Sequence, residues 1–116
     1  MTGSKVVRNT FPNGAPESEY TEVDGKIEGY RRYWYQSGQL LSEAEFLHGV
    51  ANGPIREWTE TGALRLSTFR KNGVLHGKYE SWWDNSKLKE QGEFKDGERQ
   101  PGYCWYHSDG SLWRKL

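Results

Sequence analysis

The chain has 116 residues, 34% hydrophobic and 15% aromatic, with 14 glycines and a formal net charge of zero. That length bounds it to one modest domain whose burial must come from large rings, since Trp, Tyr and Phe bury the most area per residue. Zero net charge argues against a protein that holds nucleic acid by neutralising phosphates, and equally against an acidic nucleic-acid mimic. A single cysteine, Cys104, excludes an internal disulfide and fits a reducing cytoplasm.

The N-terminal stretch "MTGSKVVRNTF" lacks an apolar h-region, so no secretory signal is expected. No apolar run approaches the ~20 residues of a membrane span. Residues 1–12 read as a flexible N-terminus. Residues 13–28 carry Gly14 and Gly25, but Pro16 stands where later segments have Leu. This stretch reads as a degraded half-repeat capping the sheet edge, where Pro is tolerated because it cannot extend the ladder.

Four repeats follow, at 29–52, 53–76, 77–101 and 102–116. Trp34, Trp58, Trp82 and Tyr106 are 24 positions apart, and so are Leu40, Leu64, Leu88 and Leu112. Gly25, Gly49, Gly73 and Gly97 form one glycine column. Gly14, Gly38, Gly62 and Gly110 form a second, with Ser86 in the missing slot. Gly29, Gly53 and Gly77 form a third, continued one place late by Gly102. A fixed period of this length marks a solenoid or array.

Within each repeat the period is two. "YRRYWY" and "IREWT" alternate between turn signals and read as strands, and no stretch offers an amphipathic helix. "NG" at 13–14, "SG" at 37–38, "TG" at 61–62, "NS" at 85–86 and "DG" at 109–110 are expected to form the tight hairpin turns. "HGVANG", "NGVLHG" and "DGERQPG" are expected to form longer returns. The fold class is therefore all-β: an elongated, single-layer antiparallel sheet of stacked hairpins, with nine or so strands. The Trp stripe is expected to be its core, with Leu packing back across each turn. Phe46 and Phe94 occupy equivalent places, whereas Phe69 comes one position early and predicts a bulge or local slip in its repeat.

The segments "NGPIREWTETGAL", "FRKNGVLHGKYESWW" and "GEFKDGERQPGYCWYHSDGSL" show an aromatic, x-x-Gly, a short spacer, Gly, an aromatic strand, Gly and Leu. In this the chain, over about residues 22–113, resembles the MORN-repeat family in its bacterial variant form, as in YwqK-type antitoxins of toxin–antitoxin systems. The resemblance implies an elongated antiparallel sheet, no catalytic residues and a role in protein or lipid contact.

The titratable residues offer little chemistry. His48 and His76 precede repeat glycines and read as turn residues, without zinc-ligand spacing. Cys104 and His107 are three apart on a strand and face opposite ways, which defeats a nucleophile–base pair. Glu43 and Glu45 share a strand face, as exposed glutamates commonly do. The glycines lack the strand–loop–helix setting of a phosphate loop. No enzyme, cofactor or metal site is expected.

Alternation places a second aromatic set, Tyr33, Tyr35, Tyr79, Trp83, Tyr103 and Trp105, opposite the Trp stripe, with Arg31, Arg32, Arg56 and Arg65 interspersed nearby. Tyr, Trp and Arg dominate interface hot spots. The bland reading is cross-strand pairing that a one-layer sheet needs on both faces. The functional reading is a protein-binding face on a non-catalytic, cytoplasmic interaction module, and the family resemblance implies that the partner is a toxin or effector enzyme which the module blocks. Rival readings are a phage- or mobile-element-encoded inhibitor of a host defence nuclease, and a lipid-binding or membrane-tethering module. Absence of a polybasic cluster counts against the latter. Direct nucleic-acid binding is not expected, and a homodimer is left open.

Overall fold

The computed structural model describes residues 3–116. The strands are β1 (Ser4–Thr10), β2 (Pro16–Val23), β3 (Lys26–Trp34), β4 (Leu40–Leu47), β5 (Val50–Trp58) and β6 (Leu64–Lys71). They continue as β7 (Val74–Leu75), β8 (Gly77–Trp82), β9 (Leu88–Lys95), β10 (Glu98–Arg99), β11 (Cys104–Tyr106) and β12 (Leu112–Lys115). All twelve join one antiparallel sheet, and the described residues contain no helix, so none that could cross a membrane. The path runs β1-β2-β3-β4-β5-β6-β8-β9-β11-β12, with β7 on β6 and β10 on β9. Extents of 51 × 35 × 13 Å fit one layer, since ten strands at roughly 4.8 Å spacing span about 43 Å.

The strand number exceeds nine for two reasons. In the later repeats the long strand breaks at His76 and again over Gln100–Tyr103, so what is continuous in β3 and β5 becomes β7 plus β8 and β10 plus β11. The N-terminus also contributes. Of the residues expected to be flexible, Met1 and Thr2 lie outside the described residues, but Ser4–Thr10 is a full edge strand paired to β2. Arg8 and Asn9 donate to Glu19 and Ser18 across that pair, at 2.8 and 3.0 Å. The stretch 13–28 is therefore not the cap. Pro16 begins the second strand, paired with Thr10, where its missing N–H costs little.

The turn assignment is reversed. Val23↔Lys26, Leu47↔Val50, Lys71↔Val74 and Lys95↔Glu98 pair directly, which makes 24–25, 48–49, 72–73 and 96–97 the two-residue turns. Both residues of each have positive φ, for example 52° and 83° at His48–Gly49 and 51° and 87° at Asn72–Gly73. This is the type I′ geometry whose twist matches the strands, and Asp, His and Asn at its first position tolerate it best. The other turns are five-residue loops closed by Trp34↔Leu40, Trp58↔Leu64, Trp82↔Leu88 and Tyr106↔Leu112. A register shift accompanies each of these pairs and leaves Leu41, Arg65, Lys89 and Trp113 as the extra residues. The bulge expected at Phe69 is absent. Pairing runs unbroken from Gly53↔Arg70 to Glu57↔Leu66, so Arg70 takes the slot of Phe46 and Phe94 while Phe69 turns to the opposite face.

Neighbouring repeats are stitched at both ends. At the tight turns, side chains of Glu28, Asn52 and His76 accept from the N–H of His48, Asn72 and Asp96, at 2.8, 3.0 and 3.5 Å. At the five-residue loops, Tyr35 Oη donates to the Trp58 carbonyl (2.8 Å) and Trp83 Nε1 to the Tyr106 carbonyl (3.3 Å). Equivalent residues thus reach equivalent carbonyls one repeat on.

Register also sorts the faces. One row on the Trp face reads Arg8–Glu19–Arg32–Glu43–Arg56 across β1 to β5, each pair directly opposite. On the other face Tyr33, Ser42, Glu57, Leu66, Ser81, Glu90, Trp105 and Arg114 form a row from β3 to β12. The deepest burial lies on this second face, at Ser18, Thr68, Ser81, Phe94 (5% exposed) and Tyr103 (0%). The Trp stripe is half-buried, and its partners Leu64 and Leu112 are 36% and 54% exposed. The expected core and the expected binding face are in this respect exchanged.

Candidate interaction surface

Phe94 and Tyr103 anchor the tyrosine face of the C-terminal repeats. Their rings meet nearly edge to face with centroids 5.5 Å apart, Tyr79 adds contacts at 5.4 and 6.1 Å, and Trp105 lies 4.8 Å from Tyr103. Such pairs contribute about 0.5–1.5 kcal/mol each beyond area burial. Gly92 makes the packing feasible, because a Cβ there would fall 2.9 Å from the Tyr103 Cα and collide with its ring. Arg99 covers the cluster, its guanidinium 5.1–5.5 Å from the ring centres of Phe94, Tyr103 and Trp105. Glu90 closes it, accepting from Tyr103 Oη at 3.0 Å and pairing with Arg99 at 3.7 Å. Burial pushes the Tyr103 phenol far above its ordinary pKa, and the Tyr79 phenol upward, chiefly by desolvation in both cases.

The six candidate contact residues therefore divide. Tyr33, Tyr79, Tyr103 and Trp105 share one face. Tyr103 has no exposed surface, so it supports that face and cannot touch a partner. Tyr35 and Trp83 lie just beyond β3 and β8, committed in part to the stitching bonds, and Lys89 stacks on Trp83 at 4.7 Å. Tyr33 is 37% exposed and open.

Around these rings the face forms a trough. Its N-terminal part is a groove of about 400 Å³ between Arg31, Tyr33, Phe46, Ile55, Glu57 and Arg70. Glu57 also borders the next hollow, about 680 Å³, which runs past Leu66, Tyr79 and Ser81 to Trp83 and Glu90. A third, about 490 Å³, lies between Trp83, Trp105, His107 and Trp113. Sequence reasoning missed Arg70, Phe94 and Arg99 as members of this face. The columns 46/70/94 and 51/75/99 held the signal, since positions 24 apart share a face.

The titratable groups do not assemble into a reactive set. Glu43, 16% exposed, is held between Arg32 (3.3 Å) and Arg56 (3.5 Å) on the Trp face. His48 bonds Glu28 at the sheet margin. Cys104 lies on β11 and His107 in the loop beyond it, where His107 packs 6.0 Å from Trp113. No group of three or more His, Cys, Asp or Glu gathers among the described residues.

Fold and surface together define a hairpin-repeat sheet with a groove along one face. Two segments, residues 27–48 and 75–96, match the model of the MORN repeat variant. Repeats of that kind are generally protein- or membrane-interaction modules. No curated protein matches the chain. The segments begin 48 positions apart, two periods, and the unmatched repeat between them is the one in which Arg70 replaces the Phe.

Proposed function

We propose that the chain is a non-catalytic protein-interaction module, which receives a segment of a partner protein in the tyrosine-face trough and blocks that partner as an antitoxin or inhibitor does. The observation that carries this reading is the trough itself, a set of adjoining hollows lined by half-exposed rings and arginines, the first two meeting at Glu57. Rigid rings and Arg in a concave surface are the composition of binding hot spots. The antitoxin role draws its support from the resemblance of the repeats to YwqK-type proteins. A membrane-tethering role has less support, because the Trp-face arginines Arg8, Arg32 and Arg56 are matched to Glu19 and Glu43 and are not free to gather anionic lipid.

Capture of partners from the source cell tests the reading with three baits: wild type, Tyr33→Ala/Tyr79→Ala in the trough, and Phe69→Ala on the opposite face. A partner held by wild type and Phe69→Ala but lost from the trough variant is the expected result. Loss with Phe69→Ala alone would move the site to the Trp face.

A further inference from the structure

The N-terminal groove differs from the aromatic cluster in one chemical respect. Arg99 has Glu90 as a counter-charge, whereas Arg31 and Arg70 have no carboxylate within ion-pair distance among the described residues. Arg31 is held between the rings of Tyr33 (5.4 Å) and Phe46 (4.8 Å), so its guanidinium is preorganised. Arg70 donates to the Gly73 carbonyl at 3.0 Å and still lines the groove. Two buried side-chain atoms lack a hydrogen-bond partner among the described residues, Arg31 Nε and Ser81 Oγ, and both residues lie on the trough face. Both atoms are out of solvent contact and so out of a partner's direct reach, and what the groove offers a partner is the charge of the Arg31 and Arg70 guanidinium groups.

We infer that the trough recognises an extended acidic segment of a partner protein, whose Asp or Glu carboxylate is clamped by Arg31 and Arg70. A planar guanidinium binds a carboxylate through two parallel N–H donors, which suits a fixed, ring-stacked Arg. Glu57 lines the same groove from the tyrosine face, and it accepts from the segment's backbone amides. From β3 to β8 there are four strand spacings, about 19 Å, which an extended peptide crosses in about six residues. The repeat carrying Ile55, Glu57 and Arg70 lies between the two matched segments, and Arg70 stands in the slot that Phe46 and Phe94 fill in them.

The inference rests on the trough being the partner-binding surface, so the test separates the two. Random linear peptides of about ten residues, enough to span the trough, are selected against the full chain, against Arg31→Gln/Arg70→Gln and against Arg31→Glu/Arg70→Glu. Thermal melts check that each variant is folded, with Arg70→Gln alone as a milder substitute. Wild type should enrich peptides with Asp or Glu at one position. The Gln variant should bind them at least about ten-fold more weakly, the scale of one charge-assisted pair, and the Glu variant should select Lys or Arg there. Peptides that still need Tyr33 and Tyr79 but show no acidic preference would overturn the inference and leave the interaction reading standing. Equal competition by inorganic phosphate would overturn it too, in favour of a simple anion site. Enrichment of no peptide at all would count against both.

Discussion

The two halves of this sheet share a backbone plan and differ in what holds it. From β1 to β5 the Trp face carries an alternating row of Arg and Glu, while the tyrosine face has Arg31, Ala44 and Ile55 in the central columns. From β8 to β11 the same columns hold Tyr79, Gly92 and Tyr103, and the rings close into a core under Arg99. Exposed ion pairs contribute about 0.2–1 kcal/mol each, whereas a buried ring contributes several times more. In a repeat array, where each unit leans mainly on its neighbours, stability can be concentrated in one half and recognition in the other. The C-terminal repeats anchor, and the N-terminal groove stays open.

The largest test of that contrast is truncation of the buried ring. Tyr103→Ala should cost about 3–5 kcal/mol in urea denaturation, because a fully buried ring leaves a cavity. Tyr33→Ala, one row away but exposed, should cost under about 1 kcal/mol. Equal losses would erase the distinction. Gly92→Ala comes next, at about 1–3 kcal/mol, since its methyl must displace the Tyr103 ring. Ala44 stands at the equivalent position in the first repeat without such a collision.

Glu43→Gln probes the other half. Removing the charge shared by Arg32 and Arg56 should lower stability by about 1 kcal/mol at low salt, and by little at about 1 M salt, where screening acts within about 3 Å. A loss independent of salt would mean that Glu43 acts through packing. Alkaline pH sharpens the comparison from the opposite side. The Tyr103 phenol titrates higher in the folded state than its unfolded value of about 10. Its contribution is therefore full below about pH 10 and declines as pH rises above that value, because the unfolded chain binds fewer protons there. The fall in melting temperature above pH 10 should be shallower in Tyr103→Phe. The smallest effect is a gain. Ser86 has φ 67° where the other repeats place Gly, so Ser86→Gly should stabilise by about 0.5–1 kcal/mol.

The 24-residue period, the strand content and the pairing of Trp34 with Leu40 and of its repeats were legible from spacing alone. Which face was buried was not. Alternation placed large rings on both faces, and nothing in a period of two says toward which one the sheet folds its side chains. The tight turns were misread for a related reason. Gly38 and Gly49 are both left-handed glycines, and the difference lies in the residue before them, where His48 is also left-handed and Ser37 is not. Phe69 looked like a displaced Phe until pairing showed Arg70 in that slot. The groove followed from that exchange, because Arg70 gains meaning only when Arg31, Tyr33 and Phe46 are known to share its face.

Native-state hydrogen exchange, resolved by residue at low salt and at about 1 M salt, tests the division of labour most directly. Amides of β8, β9 and β11 should exchange only through global unfolding at either salt. Those of β3, β4 and β5 should open at lower free energy, and lower still when the Arg–Glu row is screened. Uniform protection across both halves, or N-terminal strands that outlast the aromatic cluster, would contradict it.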